Sequence, residues 1–186
     1  MAFLSAICAK RWRARLLVIS AFMLGLMPAM GQELAMSNSE REVKVAFIYN
    51  FLLFTEWPSA VGSTLTLCIF EPDPFGNTID ALQGKAVGKR TLAVQVRSRN
   101  SLKGCQAVFI TDASRGNGAL EHALNELRGK PVLTIADQPG AARQGVGLNM
   151  VVSANKISFE ANLQATRAAG LELSSKLLRL ATEVIQ

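Results

Sequence analysis

The stretch EVKVAFIYNFLLFTEWP, residues 42–58, decides how the rest of the chain is read. Val43, Phe47, Asn50/Phe51 and Phe54 recur at spacings of three and four, which places them on one face of a helix running from about Ser39 to Thr55. A second stripe, Val45, Ile48, Tyr49, Leu52 and Leu53, is apolar as well, so this helix needs cover on more than one side. Ser39 with Glu42 three positions later supplies an N-cap and capping box, and Trp57-Pro58 keeps the preceding backbone out of the helical region. Cover can come from a sheet and another helix of the same domain, or from a partner. An uncovered second stripe would be a larger apolar patch than monomers usually expose, and the Tyr49 hydroxyl needs water or a hydrogen-bond partner. The expectation is that Val45, Tyr49 and Leu52 form a partner or dimer interface, with Phe47, Phe51 and Phe54 in the core.

Residues 1–31 read as a cleaved signal peptide. Lys10, Arg11, Arg13 and Arg15 form a positive n-region, Leu16 to Leu26 an apolar h-region, and Pro28-Ala29-Met30-Gly31 a cleavage site. The apolar run falls short of the ~20 residues of a membrane-spanning helix, and Cys8 precedes it, where it cannot serve as a lipoprotein cysteine. The expected mature protein is exported, soluble and periplasmic, a single domain over residues 32–186. The leader carries four basic and no acidic residues, so its loss takes the formal charge from +6 to +2. That leaves no charge argument for nucleic acid. Cys68 and Cys105 remain, and an oxidising compartment makes an intramolecular disulfide the natural reading, worth on the order of 4 kcal/mol. The alternative is a pair of buried thiols in neighbouring strands.

From Thr64 onward apolar runs alternate with helical patterns. Leu65 to Phe70, Thr91 to Val96, Ala107 to Thr111 and Pro131 to Ala136 read as strands, with helices over Phe75 to Leu82 and around Leu120, Leu124 and Leu127. Val146 to Val151 and Lys156 to Glu160 flank Ser153-Ala154-Asn155 as a hairpin, and Leu163 to Ala168 and Ser174 to Val184 read as closing helices. This order implies an α/β three-layer sandwich with a mostly parallel sheet, a C-terminal β-hairpin and flanking helices.

Such sheets place ligands at the carboxyl ends of their strands, where Asp73, Asp112 and Asp137 fall. Their contexts are ordinary cap and turn sequences, so no metal site is assigned. His122, the only histidine, lies on an expected exposed helix face, and no nucleophile elbow, phosphate loop or zinc spacing is present. The chain reads as a non-enzyme without a cofactor. A small-ligand-binding alternative would use Asn149, Arg167 and Arg179 as polar contacts in an apolar pocket, and a purely structural envelope protein is a third reading.

Several segments carry a resemblance: KVAFIYNF at 44–51 with FTEWP at 54–58, LCI at 67–69 with DPFG at 73–76, GCQAVFI at 104–110, and PVLTI at 131–135. GLNM at 147–150, ISFEAN at 157–162 and GLELSSKLL at 170–178 continue it in order to near the end of the chain. With these the protein resembles the YfiR-like family of periplasmic proteins. The resemblance implies an α/β sandwich, a dimer, and a repressor that binds the periplasmic part of an inner-membrane diguanylate cyclase (YfiN-like). An outer-membrane lipoprotein (YfiB-like) would relieve the repression, and cyclic-di-GMP signalling and biofilm formation would follow. Cys68 and Cys105 match the family pair that bridges the strand before the Asp-Pro-Phe-Gly turn to the central strand. The second cysteine pair of the namesake has no counterpart here.

Overall fold

The computed structural model describes residues 36–98, 101–112, 118–154 and 156–186; the expected leader lies outside them. Helix α1 (Asn38–Leu53) starts one capping motif earlier than Ser39: the Ser37 hydroxyl accepts the Glu40 N–H at 3.1 Å. Glu40 then sits one turn before Lys44, and the two pair at 2.8 Å, which favours the earlier start. The helix stops at Leu53, before Trp57-Pro58. Its last carbonyls are taken by side chains, Phe51 O by the Thr55 hydroxyl at 2.7 Å and Leu52 O by the Trp57 indole N–H at 3.1 Å. Thr55–Glu56 becomes strand β1.

Then come β2 (Thr64–Phe70), a 3₁₀ turn over Gly76–Leu82, β3 (Ala86–Val87), β4 (Arg90–Arg97), β5 (Ala107–Ile110) and α2 (Ala119–Leu127). Next are β6 (Leu133–Ala136), β7 (Leu148–Ser153), β8 (Lys156–Asn162), α3 (Leu163–Ala168), β9 (Glu172–Leu173), α4 (Ser175–Leu178) and β10 (Glu183–Ile185). One sheet runs in the order β10, β8, β7, β6, β5, β2, β4, β3, and β1 pairs separately with β9. From β7 across to β4 every pairing is parallel, while β7–β8 is an antiparallel hairpin and β3 closes the other edge antiparallel.

The alternation of β2 shows how the layers form. Leu65, Leu67 and Ile69 point to the side holding Ile48, Phe51 and Leu52 of α1, whereas Cys68 and Phe70 point to the side holding Ala119, Leu120 and Ala123 of α2. Both faces are therefore covered, as a parallel sheet requires. Cys68 and Cys105 are joined, closing a separation of 37 residues and fastening the segment before β5 across β2. The expected closing helix over Ser174 to Val184 is corrected to the short α4 followed by strand β10. The Thr182 N–H and hydroxyl both donate to Phe159 O, at 2.8 and 2.9 Å, and lay the β-branched Val184 and Ile185 along β8. Local periodicity carries no trace of that edge.

Candidate functional site

Helix α1 sits in a trough of the sheet face, between the 3₁₀ turn with β3 on one flank and the C-terminal elements on the other. Tyr49 marks the first flank, donating its hydroxyl to Ala86 O at 2.8 Å under the Lys85 ammonium, 5.0 Å from the ring centroid. Phe159 marks the second, edge-on to Phe51 at 5.0 Å and to Phe47 at 6.1 Å. The stripe expected at the surface is thereby buried. Val45 and Leu52 are 6 % and 0 % exposed, and only Tyr49 of that trio reaches water. The assignment of Val45 and Leu52 to an exposed interface is corrected: both stripes are apolar, and the trough covers the one centred on Ile48.

The outward face takes residues from both stripes instead, and Phe51 of the first is fully buried, as expected of a core residue. Val43 and Leu53 are 42 % and 40 % exposed, Ala46 and Asn50 stand between them, and Phe47 and Phe54 form a half-buried shoulder. The Asn50 amide donates back to Ala46 O at 2.9 Å, so that it lies along the helix. What remains is a helical face on which Val43, Ala46 and Leu53 are exposed around Asn50, suited to packing another protein element.

Lys44 was absent from the sequence-based site and holds the amino-terminal half of α1 in place. Its ammonium is buried, 2.8 Å from both Glu40 and Asp137, and Asp137 in turn accepts the Asp112 N–H at 2.6 Å. Burial alone would push the Lys44 pKa down, but Asp137 and Glu40 outweigh it and the group titrates above the usual lysine value. The only advance signal was a lysine within the buried stripe, one turn after a glutamate. This tie borders a cavity of about 440 Å³ at the carboxyl edge, also lined by Met150 and Glu160. Asp73 lies apart from it, accepting the Phe75 N–H at 2.8 Å as an ordinary turn residue. Among the described residues no group of three acidic, histidine or cysteine side chains is placed to hold a metal.

The three residues considered for a small ligand are not brought together in one cavity. Asn149 is fully buried in β7 with its amide donating to Glu160 at 3.0 Å, while Arg167 on α3 and Arg179 after α4 are exposed. His122 is a surface residue 3.7 Å from Glu126.

A family model described as YfiR/HmsC-like matches residues 41–182, from the first turn of α1 to the residue before β10. The chain belongs to the YfiR/HmsC-like family. That family is one of periplasmic regulators, and no helix among the described residues is long and apolar enough to cross a membrane. Among solved structures, the chain resembles a conserved domain protein from Vibrio cholerae O1 biovar El Tor, with a TM-score of 0.52 at 10 % identity. The match covers 77 % of this chain and 60 % of that one, so it speaks to the fold alone.

Proposed function

We propose that this family member binds and represses the periplasmic part of an inner-membrane diguanylate cyclase, lowering cyclic-di-GMP output, with an outer-membrane lipoprotein competing for it. The observation that supports the reading is the outward face of α1, where Val43, Ala46, Asn50 and Leu53 are exposed on a domain of a regulatory family. The same face suits a homodimer. Val43 and Leu53 are equally spaced about Ile48, as are Ala46 and Asn50, so two copies laid antiparallel would set Val43 against the partner's Leu53 in an isologous contact.

The test is genetic and biochemical together. Deleting the gene should raise cyclic-di-GMP and biofilm mass. Complementation by the wild type should reverse both, and complementation by Leu53→Glu, present in the periplasm at normal level, should not. Unchanged cyclic-di-GMP in the deletion strain would remove the cyclase reading, while full activity of Leu53→Glu would remove α1 as the contact surface.

A further inference from the structure

We propose that the outer edge of β4 takes up an extended segment of another protein as an added strand, one in which apolar and acidic residues alternate. β4 is eight residues long and pairs with β2 along its inner side as far as Arg97. β3 covers only the start of the outer side, opposite Arg90 and Thr91. The backbone shows which groups face out. The Thr91 N–H donates toward β2, to Ser63 O at 2.9 Å, whereas Leu92 is bonded on the outer side, its N–H to Lys85 O and its carbonyl to the Gly84 N–H, both at 2.8 Å. Val94 and Val96 follow Leu92 at the strand period of two, so their backbone groups face outward as well. The Gln83 side chain accepts the Val94 N–H at 2.8 Å, and among the described residues nothing meets the Val94 carbonyl or the N–H and carbonyl of Val96. Unpaired groups in a row along an edge strand are the template on which a guest strand forms its ladder.

Side chains give the guest its pattern. Leu92, Val94 and Val96 lie on the α1 side of the sheet and pass from fully buried through half-buried to 48 % exposed, so the apolar face runs on past its cover. Gln95 and Arg97 point to the opposite side. The Arg97 guanidinium donates to the Gln95 amide oxygen of its own strand, and no carboxylate among the described residues pairs with it. A guest strand of alternating character would set apolar residues beside Val94 and Val96 and a carboxylate beside Arg97.

Charge also selects a different chain over a second copy. Residues 81–97 carry Lys85, Lys89, Arg90 and Arg97 and no acid, so two copies paired along this edge would oppose like charges. The acids that border the run are Asp80 and Glu71, whose N–H donates to Arg97 O at 3.0 Å, and they leave the edge net positive. This surface is separate from the outward face of α1 and does not depend on the reading of that face.

A capped hexapeptide of alternating valine and glutamate, titrated into the oxidised protein by calorimetry with amide exchange followed by NMR, tests this. It should bind once per chain and slow exchange of the Val96 N–H, leaving unchanged that of Thr91, which is already bonded to β2. The same peptide with N-methylated backbone amides keeps the side chains, loses the ladder and should bind about tenfold more weakly. Arg97→Gln should weaken the glutamate peptide about threefold. Val96→Pro removes only an outward donor and should fold while losing about tenfold in affinity, whereas Leu53→Glu should bind as the wild type does. No saturable binding, equal binding of the methylated peptide or of one with lysine in place of glutamate, or a dimer in sedimentation that Val96→Pro abolishes would overturn the proposal. If Val96→Pro does not fold, the exchange of the Val96 N–H and the methylated and lysine peptides decide it alone.

Discussion

Leu52 and Leu53 are neighbours on α1 with opposite surroundings, and truncating each in turn tests the orientation of the helix on which the proposed contact face depends. Leu52 is fully buried against the sheet, whereas Leu53 is 40 % exposed. Leu52→Ala removes a side chain with no water to collapse toward and should cost about 2–5 kcal/mol. For a domain of this size that corresponds to a fall in Tm of roughly 7–14 °C at the middle of the range. Leu53→Ala loses only partial burial and should cost under about 1 kcal/mol, a change of a few degrees. Urea denaturation followed by far-ultraviolet circular dichroism, with thermal melts alongside, measures both. Equal losses for the two variants, or a greater loss for Leu53→Ala, would mean that α1 is rotated and that Val45 and Leu52 face out after all.

Four further outcomes are expected. Lys44→Met strands the buried Asp137 carboxylate and should cost about 3–5 kcal/mol, much of it recovered in Lys44→Met with Asp137→Asn, which still accepts the Asp112 N–H. Because the folded Lys44 pKa lies above its unfolded value near 10.5, its contribution is complete below that pH and is lost as pH rises through the folded value; denaturation across pH 9–12 should show an alkaline decline missing from Lys44→Met. Thiol titration of denatured protein taken from the periplasm should find no free cysteine, and Cys68→Ser should lose about 2–5 kcal/mol. A Cβ at Gly147 would lie 2.9 Å from Thr166 Cγ2 and 3.3 Å from Thr134 O, so Gly147→Ala should cost about 1–3 kcal/mol in chemical denaturation, partly relieved by Thr166→Ser, which removes the nearest atom.

The sequence by itself determined the elements whose signals are local or nearly so. The run from Ala107 to Ile110, apolar at every position, could serve only as a strand covered on both faces, and it lies mid-sheet between β2 and β6. The hairpin of β7 and β8 and the helix ending near Gly129 were legible for the same reason, since turn residues and periodicity act over short spans; the pairing of Cys68 with Cys105 was the favoured reading, and the structure decided it over two buried thiols. Only the tertiary structure decided which stripe of α1 is buried. Periodicity reports that Val45 and Leu52 share one side and Val43 and Phe47 another, but the choice belongs to the trough between Tyr49's flank and Phe159, residues far away in sequence. Lys44 was illegible on the same grounds, because its partner Asp137 lies 93 positions away. The strand over Glu183–Ile185 likewise exists because an unpaired edge of β8 is there to accept it, and an edge is a property of the assembled sheet.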